Sequence, residues 1–407
     1  MARGLLATGI VCALLVPGAG AQDWPQFRGP TGQGHAEGQA PLEWSEGRNV
    51  AWKASVPGRG WSSPIVAGGR VWITTAVADG PATSLRLLAY DVETGRETMS
   101  VEVFRLRTTD LLNPKNSHAS PTPVAAGDRV YVHFGSEGTA AVTMDGEIVW
   151  KARHRWLTQH GGGGSPIVYE DLLIFNCDGA DAAYVVALDT RTGKQRWRTW
   201  RRRPWSQAYT TPLVIHAAGR DQLVSAGAHV AASYDPRTGK EIWRVSYDGF
   251  SNVPRPVFGH GLVFIATGFQ QPSIVAVRPD GTGDVTRTHI VWTLARSAPH
   301  TPSPLVAGGH LYLLTDGGIV SCVDALTGAI VWQQRLAGAF SASPVLAGGR
   351  IYVQSEDGVT TVFSPGPAFA HVAINALDDA MLASMAVLGD ALIIRTARHL
   401  YRIAGAQ

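Results

Sequence analysis

One short unit recurs eight times along this chain and limits what it can fold into. A small or hydroxyl residue precedes a proline. Two apolar residues, a glycine-rich turn and an apolar run with an aromatic follow. The unit reads SPIVAGGRVWI at Pro64, TPVAAGDRVYV at Pro123, SPIVYEDLLIF at Pro166 and RPVFGHGLVFI at Pro256. It reads SPLVAGGHLYL at Pro304 and SPVLAGGRIYV at Pro344, carries an insertion after Pro212, and has Met385 in the proline slot of its last copy. Successive copies lie 40 to 59 residues apart. Such spacing, with about four short apolar runs per unit, is that of propeller blades. No long amphipathic helical pattern interrupts them. The expected fold is all-β: an eight-bladed β-propeller of four-stranded antiparallel blades, spanning residues 49–407.

A second motif alternates with the first. LDTRTGKQRWR (Leu188 to Arg198) has the acid, hydroxyls and cations of a catalytic loop. It returns as YDPRTGKEIWR from Tyr234, VDALTGAIVWQ from Val323 and YDVETGRETMS from Tyr90, with Met99 in the Trp place, and in clipped form as MDGEIVWK from Met144. A catalytic constellation is normally present once, so the recurrence points to architecture. Asp189 is placed to start a turn and Gly193 to close it with positive φ. Trp197 follows on the outer strand, and Asp235–Trp243 and Asp324–Trp332 keep the same spacing. A ring at that register fills the wedge between blades. The last unit lacks an outer strand, whereas NVAWKASV (Asn49 to Val56) looks like an outer strand with no blade before it. It is expected to complete blade 8, close the ring and leave no free sheet edge.

The two repeated units resemble the PQQ-like β-propeller repeat of quinoprotein alcohol dehydrogenases and of the propeller lipoprotein of the outer-membrane barrel assembly machinery. With DWPQFRGPTGQG (Asp23 to Gly34), the chain is similar to exported PQQ-binding-like repeat proteins. The resemblance implies the fold and leaves function open. In the alcohol-dehydrogenase branch it would imply an adjacent Cys pair facing the quinone, and carboxylates with an amide for Ca²⁺. This chain has no Cys-Cys, and Asp178 and Asp181 read as turn residues. The assembly lipoprotein would have a lipid-attachment Cys at its cleavage site, but Cys12 lies inside the apolar run Leu5–Val16.

That run, with Arg3 before it and Ala19-Gly20-Ala21 after it, reads as a signal peptide over residues 1–21, cleaved after Ala21. It is too short to span a bilayer. A periplasmic or secreted protein is expected, with residues 22–48 as an N-terminal extension packing on the propeller. Lys+Arg 35 against Asp+Glu 32 is close to balance and gives no field for nucleic acid. Cys177 and Cys322 fall in separate blades and are expected to be free thiols.

Counting back from each proline slot gives the loops that converge on the axis. They bring Arg59, Trp61, His118, His160, Tyr209, Asn252, Arg255, His300 and Phe340 to one mouth. Cations, histidines and flat rings there suit a polar or anionic ligand, held more tightly as pH falls. HGGGG at His160 lacks the following helix of a phosphate loop and reads as flexible access to the inner strand. The basic stretch Arg191–Trp205 reads as a solvated outer edge. The histidines form no metal-binding spacing, and no nucleophile elbow is present. The expectation is therefore an exported binding scaffold, a monomer without catalytic residues, metal or cofactor. Its partner is an envelope protein or a small polar or anionic ligand. A PQQ-dependent dehydrogenase is the alternative.

Overall fold

The computed structural model describes residues 23–107, 112–201 and 207–405. Eight antiparallel sheets follow one another around an axis, each running from an inner to an outer strand. Blades 1 to 7 occupy residues 65–106, 124–152, 167–200, 213–246, 257–294, 305–335 and 345–376. Blade 8 takes three strands from 386–404 and its outer strand from Val50–Ser55, antiparallel to His399–Ala404. The ring closes through the N-terminal strand, as the orphan Trp52 motif indicates. Blades 4 and 7 each gain a two-residue fifth strand, Gly283–Asp284 outside and His35–Ala36 inside. Among the described residues the only helical segment is a 3₁₀ turn, Gly135–Glu137. Cys177 and Cys322 are buried and free.

The core is a set of wedges between neighbouring blades. Leu85, Phe104 and Val130 fill the space between blades 1 and 2, and Phe264, Leu311 and Val323 that between blades 5 and 6. The Asp-x-x-Thr-Gly turn and the outer-strand Trp turn out to be two halves of one lock. Asp189 Oδ1 accepts from Arg191 N, Thr192 N and Thr192 Oγ1, which sets the turn. Trp150 of the preceding blade then donates Nε1 to Thr190 O at 2.9 Å. Its indole lies flat on Gly193, where a Cβ would sit 2.6 Å from the ring and φ is +70°. Glycine is needed for both reasons. Trp52 meets Val92 O and Gly95 in the same way, Trp197 meets Pro236 O and Gly239, and Trp292 meets Ala325 O and Gly328. Met99 packs against Gly146, the shortened turn of blade 2. Trp243 differs. It donates to Gln222 Oε1 of its own blade, because blade 5 lacks the turn.

The residue before each proline builds a second ring at the axis. Ser63 N donates to Thr122 Oγ1, Thr122 N to Ser165 Oγ, and Ser165 N to Thr211 Oγ1. Ser303, Ser343 and Ser384 continue the relay back to Ser63 Oγ, with every bond between 2.9 and 3.1 Å. Seven of the eight backbone N–H groups in this slot are thus satisfied by the hydroxyl of the next blade, which is why the slot holds Ser or Thr. Arg255, with no hydroxyl, interrupts the relay between blades 4 and 5, although its own N donates to Ser303 Oγ.

The inner strands leave an unpaired row of backbone groups facing the axis. The N-terminal segment Trp24–Ala36 covers most of them. Trp24 exchanges two bonds with Val66, Pro25 O accepts from Ala125 N, and Gly34 O accepts from Leu346 N. Gln33 Oε1 accepts from Phe258 N, and His35 Nε2 bonds Val306 O. In every case the partner is the second residue after the proline slot. Arg28 reaches farther along the channel and donates to the carbonyls of Pro304 and Pro344. The extension therefore lies in the axial channel against blades 1, 2, 5, 6 and 7, with Trp24 1 % exposed.

Candidate functional site

The loops preceding the inner strands share one face, the mouth. They are tied to each other by backbone bonds: Trp61 N and Ser62 N to Ala119 O, Tyr209 N to Asn252 O, and Ser251 N to Gln207 O. In the loop between blades 1 and 2, residues 112–120 lie across this face. Asn116 Nδ2 donates to His160 O and Gly162 O of blade 3, whereas Lys115 Nζ reaches Glu356 Oε1 of blade 7 at 2.7 Å. Blades 3 and 7 face each other across an eight-membered ring, so a loop touching both must cross the axis. Arg59 donates to Pro114 O and holds the same loop from blade 1.

The structure separates the residues expected at the mouth into two groups. Arg59 is exposed, and Trp61, His118, His160 and His300 are half-buried. The His160 ring stands 6.1 Å from that of Tyr209, and the His300 ring 6.1 Å from that of Phe269. Tyr209, Asn252 and Phe340 are buried. Burial raises the Tyr209 phenol, which stays protonated and donates to Gln207 Oε1. Asn252 Nδ2 donates to Ala266 O and Tyr247 Oη, and Phe340 belongs to the core between blades 6 and 7. Arg255 leaves the mouth altogether. Its side chain enters the channel, where Nη1 meets Phe27 O and Nε meets Pro212 O.

The mouth also holds groups that counting back from proline misses. Phe269, 51 % exposed, packs edge-on against Phe250, which lies 6.1 Å from the His229 ring. Phe269 and His229 sit after second strands, not before first ones. Their signal in the sequence is only an aromatic or His beside a glycine turn. Leu157, 65 % exposed, is held by its N to Asp181 Oδ1. Trp61 Nε1, Asn252 Oδ1, and Nε and Nη2 of Arg395 are buried and have no hydrogen-bond partner among the described residues. Arg395 Nη1 ties blade 8 to Ser62 and Thr74 of blade 1. Burial lowers its pKa to about 9, so it is cationic at neutral pH.

Two readings of the sequence change here. The glycines after His160 are not flexible access. Gly162 passes so close to Gly135 that a Cβ would meet its Cα at 2.8 Å, and Gly163 and Gly164 press on Tyr209 and Thr210. The space they enclose with His133, Trp156 and Asp178 is about 10 Å³, room for one water at most. Asp178 is not a turn residue either. It ends a strand and forms a buried two-point pair with Arg201 at 2.7 and 3.2 Å. Burial works against the Arg201 charge, but the Asp178 carboxylate more than offsets this and raises its pKa. In the basic stretch, Arg196 pairs with Asp171 and Asp189, and Arg198 lies over Tyr184 and the exposed Trp200. Arg202, Arg203 and Trp205 lie outside the described residues, as do the expected signal peptide and Cys12.

Among the described residues no three His, Cys, Asp or Glu side chains are grouped to hold a metal. No helix there is long and apolar enough to cross a membrane.

Comparison with known proteins agrees with the architecture. No curated protein sequence matches the chain. Among solved structures, quinohemoprotein alcohol dehydrogenase from Comamonas testosteroni superposes with a TM-score of 0.67 at 11 % identity, over 95 % of this chain and 81 % of that one. The ADHIIG enzyme from Pseudomonas putida HK5 gives 0.66 at 10 %, with the same coverage. BamB from Moraxella catarrhalis gives 0.54 at 21 %, over 76 % of this chain and 84 % of that one. At such identities the likeness shows the fold alone. The family profile described as outer membrane protein assembly factor BamB matches residues 42–153 and 226–366. With more than half of its length matched, and with the blades and inter-blade locks in place, this chain belongs to that family of PQQ-like propeller proteins.

Proposed function

We propose that this protein is an exported binding scaffold that engages an envelope protein partner through the mouth face of its propeller. The observation that carries this reading is the loop across the axis, held from Asn116 to blade 3 and from Lys115 to blade 7. With Trp24–Ala36 lying in the channel beneath it, this loop makes the mouth a surface more than a deep pocket. Surfaces of this kind suit proteins, and exposed aromatics are their usual anchors. Phe269, Leu157 and Trp61 offer apolar area, and Arg59, His118, His160 and His300 the polar surround. Membership of an assembly-factor family points the same way. Signal-peptide features over residues 1–21 support export.

The structural neighbours named as quinohemoproteins favour a second reading, a quinone-dependent oxidoreductase. The residues do not fit it. A planar quinone with a divalent cation needs a free slot and clustered carboxylates. At the mouth Asp316 is spent on His300 N and Thr301 N, and Glu356 on Lys115 and Ser341.

Site-specific photo-cross-linking in the intact envelope tests the reading. A cross-linker at Phe269 or His300 is expected to give one discrete protein adduct, and one at Val331 on an exposed outer strand is expected to give none. Equal adducts from both faces, or none from the mouth, would remove the proposal.

A further inference from the structure

The N-terminal segment does not cover the inner edges evenly. Blades 1, 2, 5, 6 and 7 are each bonded to it at the second residue after the proline slot. Blades 3 and 4 carry Val168 and Val214 there. Counted back from the pair that closes its hairpin, each stands an odd number of places away, as does Val66, whose N–H turns from its second strand to Trp24 O; their N–H groups therefore face the axis too. Among the described residues no bond joins either to the N-terminal segment. Between them and that segment lies a cavity of about 360 Å³, lined also by Gln26, Thr31, Gln33 and Arg255.

Arg255 gives this cavity its charge. It is 2 % exposed and Arg28, beside it in the channel, is 1 % exposed. Neither forms a salt bridge among the described residues, and their hydrogen bonds go to backbone carbonyls. Burial lowers both to about 9, Arg28 also through repulsion from Arg255, so both are cationic at neutral pH. Two buried cations without a carboxylate are costly unless something compensates them. Gln33 accepts from Phe258 N through Oε1, which leaves its amide nitrogen to donate. A guanidinium, an amide donor, a hydroxyl and two backbone N–H groups therefore surround one polar space.

We propose that this cavity, distinct from the mouth, binds a small oxyanion, with Arg255 as its cationic anchor and the inner edges of blades 3 and 4 as backbone donors. Backbone N–H groups gathered in a concavity beside a fixed cation are a general anion-binding arrangement. Phosphate and carboxylate share the chemistry and are the two arms of the test.

The intact protein is titrated calorimetrically with sodium phosphate and with sodium acetate, each against sodium chloride at matched ionic strength. Saturable binding of one oxyanion at one site per chain is expected, and the arm that binds names the class. Arg255→Gln is expected to weaken it at least about tenfold, whereas Val331→Asp on an exposed outer strand leaves it unchanged. Because Arg255→Gln removes buried bonds and can impair folding, hydrogen exchange on the unaltered protein gives a second reading. The anion is expected to slow exchange in residues 167–169 and 213–217 several-fold and to leave Val66 and Ala125 unchanged. Absence of saturable binding by either anion overturns the proposal. So does unaltered affinity in a folded Arg255→Gln, or protection confined to other blades.

Discussion

His133 shows how a single residue can set the response of the molecule to acid. Its ring lies 4.5 Å from Phe175 and is stacked on Trp156, and its Nδ1 bonds Thr139 Oγ1 at 2.8 Å. Burial, with a smaller repulsion from His154, lowers its pKa to about 3. The unfolded chain takes up this proton near 6.5, the folded chain only near 3. Between those values the unfolded state binds more protons, so stability is full above 6.5 and falls as pH drops towards 3, by about 1.4 kcal/mol per unit. Urea denaturation across this range is expected to show the slope, and His133→Gln to reduce it by about one proton. An unchanged slope would place the titration elsewhere. Asp178 is expected to matter in a different way. Asp178→Ala leaves Arg201 buried without its partner and is expected to cost about 3–5 kcal/mol at neutral pH. Chemical denaturation of the pair and of the double variant measures it. The sequence hides this pairing, because a buried acid and a turn acid read alike until the strand around them is known.

At the scale of the element, the repeated turns behave as interchangeable couplings. Gly193→Ala drives a methyl into the Trp150 ring and also strains φ, whereas Gly308→Ala meets only open space at φ +57°. Gly193→Ala is expected to destabilise by about 1–3 kcal/mol more than Gly308→Ala. Equal losses in urea midpoints would mean that the indole is not the lock. Both motifs were legible as scaffold from recurrence alone, and so were the strand count and the closing strand. What each motif touches was less legible. The Asp-Thr-Gly turn and the Trp of one unit are sequence neighbours, yet the contact that matters joins successive units. The hydroxyl before proline looked like a small residue with no duty, and only the ring shows it accepting from the blade before. At the candidate site, position before a proline located the loops but not the side-chain directions. Phe340 and Asn252 turn into the body and Arg255 turns down the axis, because packing and unsatisfied carbonyls decide direction, and their partners lie far away in sequence. Phe269 escaped notice because it follows a second strand.

For the whole molecule, the N-terminal segment plays two roles that truncation can separate. Removing residues 23–36 takes the cover from the inner edges but leaves Val50–Ser55 on blade 8. Removing residues 23–56 also takes the outer strand from blade 8 and exposes the edge of His399–Ala404. The first truncation is expected to lower the melting temperature with one transition retained, and the second to abolish cooperative melting. If both behave alike in calorimetry, closure by Val50–Ser55 is not what holds the ring. The same segment, with the loop across the mouth, places the chain's own residues on the axis. The most direct measurement is equilibrium dialysis of the purified protein with PQQ and Ca²⁺, followed by visible absorbance and dye reduction with alcohols. On the scaffold reading the quinone is expected to dialyse away and dye reduction to stay at the buffer background. Retention of one quinone per chain with dye reduction above that background would contradict it.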